Sequence, residues 1–326
     1  LRGAAEVGRA FVEPTLFLWP EGAGEPLPCR AGELLSRSQR VLIAAGPGQG
    51  KTELLRWLAG RLAEVWLQQG GHAPAPFLLD LRSLRRGEGL AGLTTKTLAQ
   101  CNLQVESEEV RQFLRTSPVF LLLDNLDLVA DTHALAEIAV GLAQPEGDPV
   151  ASVVACRDGS VDAYQSHLRG HTRATLARWT DADIQDYVER SLPQDRAAWL
   201  LSHLQAQSAL WDLVHSPLFL WAAVEACAEE GKVSVAALTR SLVERALARL
   251  MERLSEGSSA EGAGLSGSAS ASPAFPKWLA EAAWSLRRSG RPHLSRAELT
   301  DLVAAQDGET ASRSLPAVLD AGILSF

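Results

Sequence analysis

The stretch "VLIAAGPGQGKTELLRWLAG", residues 41–60, decides the fold. The apolar run "VLIAA" passes into Gly46, Gly48 and Gly50, and then at once into Lys51, Thr52 and a helical pattern. The pattern G-x-x-x-x-G-K-[ST] is met over 45–52 except that Ala45 stands in its first position. Such a loop suits phosphate because its backbone N–H groups turn inward, which glycines permit by adopting positive φ and letting the main chain approach a ligand closely. The helix that opens near Lys51 adds its positive N-terminal end. The cradle is expected to run from Gly46 through Pro47, Gly48, Gln49 and Gly50 to Lys51 and Thr52. Lys51 would bridge the β- and γ-phosphates, and the Thr52 hydroxyl would hold Mg2+. The plain alternative is a Gly-rich turn that happens to precede a lysine; a strand before it and a helix after it argue against that.

From this loop to about residue 178, short apolar runs alternate with helical stretches, the signature of βα units and a parallel sheet. The expected strands are "VLIAA" (41–45), "PFLLD" (76–80), "VFLLLD" (119–124), "VASVVAC" (150–156) and "TRATLA" (172–177). They are continuous rather than alternating, as strands buried on both faces are. Leu54, Leu55, Leu58, Leu62, Val65 and Trp66 recur at helical spacing and mark the helix after the glycines.

A loop that cradles phosphate needs a carboxylate to reach the cation from a neighbouring strand end. "VFLLLDNLDLV" offers Asp124 at a strand's C-terminal edge, the place where ligands sit in open α/β sheets. Asp127 lies in the loop that follows, either positioning an attacking water or capping the next helix. In "VVACRDG", Arg157 leaves another strand beside the same crevice. It is either a surface arginine or a guanidinium that reads the γ-phosphate, for which a rigid, permanently charged fork is suited. No N-K-x-D guanine reader occurs, so ATP or ADP is the expected ligand.

After residue 178 the strand signals stop. Thr180 and Asp183 form a helix-start pattern, and helical stretches continue to about 254 as a bundle over 179–254. The Ser/Gly/Ala-rich stretch 255–273 is expected to be a flexible linker, because it cannot bury enough surface to offset its ordering entropy. Amphipathic helical patterns resume at 276–290, and a capping box follows at 295–298.

With 326 residues the chain is long enough for two or three domains, since single cores stop growing near roughly 250 residues. No apolar run approaches the roughly 18 residues of a spanning helix, and no signal peptide pattern opens the chain. A cytoplasmic location is expected. The first residue is Leu1, not Met, which suggests a segment of a longer protein. The net charge of -8 argues against a surface that coats nucleic acid. Arg82, Arg85 and Arg86, like Arg287, Arg288 and Arg291, are either solvated faces or local phosphate contacts. Cys29, Cys101, Cys156 and Cys227 lack metal-ligand spacing and read as reduced, mostly buried cysteines. Most of the nine tryptophans follow residue 178 at helical positions such as Trp211, Trp221, Trp278 and Trp284, where core packing is the expected role. Lysines are scarce beside arginines, which hints at a GC-rich, bacterial genome.

The order of motifs resembles the NACHT class of the STAND NTPases, relatives of the AAA+ proteins that act as signalling switches. "FVEPTLFL" (11–18) is similar to that family's lead-in segment within 1–40, "GPGQGKT" to its Walker A, "FLLDLRSL" to its next strand and "LLLDNLDLV" to its Walker B. "ACRDG" occupies the place of its sensor motif, which implies that Arg157 senses phosphate. "HSPLFL" resembles the segment whose proline packs on adenine, which implies that role for Pro217; by position alone Pro217 is a first-turn helix residue. The end, "LDAGILSF", is similar to the region before the family's winged-helix histidine, so 274–326 would be a partial winged-helix domain. Residues 41–178 would be the nucleotide-binding domain. The family usually carries Asp-Glu where this chain has Asp127-Leu128, so hydrolysis would be slow or would rest on Asp127.

The expected fold is therefore α/β: a P-loop NTPase parallel sheet with helices on both faces, then a helical bundle. The resemblance implies a switch run by ATP, ADP and Mg2+ that self-associates when ATP-bound, in bacterial defence or regulation, with effector and sensor domains outside this segment. The rivals are a remodelling ATPase with steady turnover and a scaffold that keeps nucleotide as a structural ligand.

Overall fold

Strands that must be buried on both faces need helices on both sides, and the alternation of side chains along them divides the apolar residues between two cores. The computed structural model describes residues 11–20, 24–85, 87–129, 132–143, 150–165 and 167–230, together with 233, 234 and 238. All belong to the first of two units into which the chain divides, Leu1–Leu238 and Thr239–Phe326. The expected linker at 255–273, the partial winged helix at 274–326, the helical pattern beyond residue 238, Arg86, Trp278, Trp284, Arg287, Arg288 and Arg291 lie outside the described residues.

In chain order the elements are β1 (Thr15–Trp19), β2 (Leu27–Arg30), α1 (Leu34–Arg37), β3 (Arg40–Ala44), α2 (Lys51–Gln68), β4 (Ala75–Asp80), α3 (Gly89–Gln100) and α4 (Ser107–Thr116). There follow β5 (Val119–Asp124), α5 (Thr132–Ala143), β6 (Ala151–Cys156), α6 (Val161–Gln165), β7 (Thr172–Leu176), α7 (Asp181–Ser191), α8 (Gln194–Gln205), α9 (Ser208–Val214) and α10 (Pro217–Glu230). The seven strands form one sheet in the order β2-β1-β7-β3-β6-β5-β4.

The five strands expected from the apolar runs are all present and all parallel. The sheet as a whole is nevertheless mixed, not parallel throughout. Within the segment read only as a lead-in, β1 pairs antiparallel with both β2 and β7 and extends the sheet by two strands. The physical reason is half-burial: β1 buries Leu16 and Leu18 but exposes Phe17 and Trp19, so it alternates where the inner strands do not.

On one face, Leu42, Ala44, Leu121, Leu123, Val154 and Cys156 pack under α3 and α5 through Leu90, Leu93, Leu135, Ile138 and Leu142. On the other, Val41, Ile43, Phe120, Leu122, Val153 and Ala155 pack under α2 through Leu54, Leu55 and Leu58. Burying each of these leucines contributes about 2 kcal/mol relative to leaving it in water. Phe11 stacks on Trp57 of α2 with ring centroids 4.9 Å apart, tying the N-terminal segment to the helix that carries Lys51.

The helices α7 to α10 pack on one another around Ile184, Val188, Leu200, Leu204, Leu210, Val214 and Leu220. The expected start of α7 is a full capping box: Thr180 N–H donates to Asp183 Oδ2 at 2.8 Å, and Asp183 N–H donates to Thr180 Oγ1 at 3.2 Å. Cys29, Cys156 and Cys227 are buried, whereas Cys101 is exposed. Burial pushes the Cys156 thiol up to about 12, which makes it an inert core residue. No helix among the described residues is long and apolar enough to cross a membrane.

Candidate functional site

Two of the loop glycines take conformations that a side chain would strain: φ is +75° at Gly48 and +89° at Gly50, the residue immediately before α2. These angles turn the chain sharply enough for Lys51 and Thr52 to fall in the first turn of α2, at its positive end. Lys51 Nζ donates to the carbonyl oxygens of Ala45, at 2.6 Å, and Gly46, at 2.9 Å. Burial pulls this ammonium below its ordinary pKa, against the opposing pull of Asp127. Gln49 folds over the same loop, its Oε1 accepting from Gly46 N–H at 2.6 Å.

In the sheet, β6 lies between β3 and β5, so the loop after β3 and Asp124 at the end of β5 are two strands apart. Thr52 spans the distance by donating its hydroxyl to Asp124 Oδ2 at 2.6 Å. Asn125 N–H donates to Asp124 Oδ1 at 2.9 Å. Asp124 is only 5% exposed, and burial pushes its carboxyl above the usual range despite these two donors. Both partners are uncharged. A hydroxyl and a carboxylate side by side, the carboxylate buried and not directly ion-paired, form a donor set that fits a hard divalent cation such as Mg2+ completed by phosphate oxygens and water. Among the described residues no cluster of three or more His, Cys, Asp or Glu side chains forms a metal cage. Mg2+ here would therefore be held jointly with its nucleotide, the commoner arrangement for this ion.

Asp127 and Arg157 are brought together. Arg157 Nε lies 3.0 Å from Asp127 Oδ2, and its backbone N–H donates to Asp127 Oδ1 at 3.2 Å. Asp127 lies inside the 3-10 turn Leu126–Leu128, ahead of α5, and so does not cap that helix.

The remaining expected residue, Pro217, opens α10 and reaches the loop: a Cβ on Gly50 would lie 3.8 Å from Pro217 Cγ. Its neighbours, which the sequence did not mark, make the closer contacts. Leu218 N–H donates to Gly48 O at 3.1 Å, and the Ser216 hydroxyl donates to the same oxygen at 3.4 Å. His215 stands at the edge of the helical part, with Nδ1 2.7 Å from Trp211 O and Nε2 3.2 Å from Asp181 Oδ1. The sequence reading also missed Asp80 and Asn125 at the ends of β4 and β5; Asn125 Nδ2 donates to Asp80 Oδ1 at 3.0 Å. The available signal was that both strands end in Leu-Leu-Asp, at 78–80 and 122–124.

A glycine loop between a buried strand and a helix, with a carboxylate two strands away joined to the loop's threonine, is the nucleotide-binding architecture of P-loop NTPases. Residues 39–195, just under half of the 326-residue chain, match the family model described as the NACHT domain. Among curated proteins, none matches this chain. Similar solved structures include the ORC1 protein of Aeropyrum pernix in complex with DNA, with TM-score 0.46, 16% identity, and coverage of 90% of this chain and 81% of that one. Domain III of the replication initiation protein DnaA from Thermotoga maritima has TM-score 0.39 and 15% identity, covering 66% of this chain and 88% of that one. A RuvB variant from Thermotoga maritima has TM-score 0.39 and 12% identity, covering 90% of this chain and 85% of that one.

Proposed function

We propose that this chain uses ATP and ADP as the two states of a switch, in which ADP holds the nucleotide-binding domain against the helices that follow it and ATP releases them for self-association. The observation that carries this reading is the bond from Leu218 N–H to Gly48 O. The helical part touches the phosphate loop itself, so a ligand that reshapes the loop must also work on α10. In this reading Gly46 to Thr52 cradle the phosphates, Thr52 and Asp124 hold Mg2+, and Pro217 meets the base. Arg157 senses the γ-phosphate, and Asp127 positions water.

A ligand of equal affinity for both forms shifts nothing, and reversing a 1:99 equilibrium takes about 5.5 kcal/mol of differential binding. The extra charge of ATP, met by Lys51, Mg2+ and Arg157, is the source we assign to it. Leu128, where the family usually has an acid, favours slow turnover. The role in the cell would be signalling in defence or regulation, through effector and sensor domains outside this segment.

The test is the oligomeric state of the purified protein, by light scattering, after its nucleotide is exchanged for ADP or for ATP. Larger assemblies with ATP that are absent from Lys51→Ala support the switch. Assembly that is the same with either nucleotide and in the variant overturns it, and brisk steady hydrolysis by the isolated protein would favour a remodelling ATPase.

A further inference from the structure

We propose that Asp80 and Asn125 form a positioning pair that fixes the Asp124 carboxylate for cation binding. The inference rests on the reading of the loop as a nucleotide and Mg2+ site. The register of β4 and β5 places Asp80 directly opposite Asp124 at the C-terminal ends of adjacent strands. Arg82 claims part of the Asp80 carboxylate: its backbone N–H donates to Oδ1 at 3.1 Å, and its Nε lies 2.9 Å from both oxygens. Those bonds close the turn that follows β4, and they would suffice for a local structural role.

The Asn125 bond is different, because it crosses from one strand end to the next. Asn125 sits in the left-handed region at φ +62°, which costs a non-glycine residue energy and persists only where the surroundings hold it. Its side-chain amide is anchored on Asp80, and its backbone N–H, presented by that same turn, donates to Asp124 Oδ1. Thr52 holds the other oxygen. The carboxylate plane is thereby set from both sides, and the Oδ1 side of it depends on Asp80. Outer partners of this kind decide how well a first carboxylate meets its metal, and their loss typically costs about 10–100-fold in metal affinity.

The test titrates MgCl2 against ADP bound to the full chain and reads the Mg2+ concentration that gives half the maximal effect on ADP affinity. Asp80→Ala and Asn125→Ala are expected to raise that concentration about 10-fold. Asn125→Gly, which keeps the left-handed turn but loses the amide anchored on Asp80, is expected to shift with Asn125→Ala; a glycine variant that follows the wild type would assign the role to the turn alone and overturn the pair. The double variant Asp80→Ala/Asn125→Ala should be no worse than either single variant, because both act through one route. Asp80 is 40% exposed at its side chain, so its removal leaves no sealed cavity. Should Asp80→Ala nonetheless lose its native circular dichroism, Asn125→Gly decides, because it removes the amide that Asp80 anchors and spares the turn.

Asp124→Ala separates this inference from the reading beneath it. If Asp124→Ala shifts the Mg2+ titration while Asp80→Ala and Asn125→Ala follow the wild type, the positioning pair is overturned and the site stands. If Asp124→Ala follows the wild type as well, or ADP binding ignores Mg2+ altogether, the reading of the site fails and takes the pair with it.

Discussion

Arg157 and Asp127 hold one another at two points, Nε to Oδ2 at 3.0 Å and backbone N–H to Oδ1 at 3.2 Å. The side chain of Asp127 is only 6% exposed and that of Arg157 28%, so the pair is neither a surface ion pair nor sealed from water. Removing the cation leaves a nearly buried carboxylate short of a partner. Arg157→Ala is expected to destabilise the domain by about 1–3 kcal/mol, below the cost of breaking a fully buried pair because the arginine is partly solvated. Urea unfolding midpoints measure it, and a midpoint within error of the wild type would show that the pair adds nothing to stability.

In the proposed switch the same pairing would bear on how ATP is told from ADP. There Arg157 can meet a γ-phosphate only after it leaves Asp127, so freeing it should favour ATP. Asp127→Asn is expected to raise the affinity for ATP relative to ADP by about fivefold or more, within the usual size of coupling energies. Competitive titration of both nucleotides checks this, with Asp127→Asn/Arg157→Ala as the control that should cancel the gain. A gain that survives in the double variant would assign the effect to lost charge at residue 127 alone.

Two glycines near one another in sequence should respond oppositely to the same change. A Cβ on Gly48 would need positive φ and would stand 2.9 Å from Leu218 Cβ, so Gly48→Ala should cost about 1–3 kcal/mol and loosen α10. Gly60, inside α2, has nothing within 4 Å of where its Cβ would be, and Gly60→Ala should add about 0.5–1 kcal/mol. Thermal unfolding gives both signs, and hydrogen exchange reports α10 directly.

A pH dependence should come from the end of the sheet remote from the loop. His171 is buried with Nδ1 3.1 Å from Leu168 O and Nε2 2.9 Å from Ser152 Oγ. Burial, and then Arg40, lowers its pKa from 6.5 to about 4. The unfolded chain therefore binds this proton before the folded one does. The contribution is full above the unfolded value and is lost as pH falls from about 6.5 towards 4. At most about 3 kcal/mol is involved. Urea unfolding at pH 7 and 4.5 should show the loss, and His171→Leu should flatten it whatever that substitution costs at pH 7.

The five parallel strands were legible because burial on both faces makes a strand an unbroken apolar run, as in "VFLLLD". β1 and β2 were not. "TLFLW" buries alternate residues and "LPCR" only one; β2 pairs with β1, and β1 joins the sheet through β7, far along the chain, which no local pattern announces. Within the site, Lys51 and Thr52 were read from the spacing of the loop motif, and Asp124 from an apolar run that ends in an acid. Asp80 and Asn125 escaped because their importance comes from register between strands and from one left-handed residue, both tertiary properties. Leu218 escaped for a related reason: its backbone N–H, not its side chain, touches Gly48, and every residue but proline carries that group.

The pairing of Asp80 with Asp124 across β4 and β5 ties site assembly to the folding of the sheet. A slip of one residue between these strands would turn every side chain of β4 to the opposite face, carrying Asp80 away from Asn125 while leaving most backbone bonds replaceable. A misregistered sheet would thus be compact yet deaf to Mg2+. Ligand that binds only the correct register adds RT ln(1 + [L]/Kd) to its stability, about 2.7 kcal/mol at a hundredfold excess over Kd. In a cell with abundant adenine nucleotide, a ligand bound as proposed would act as a proofreader of strand pairing.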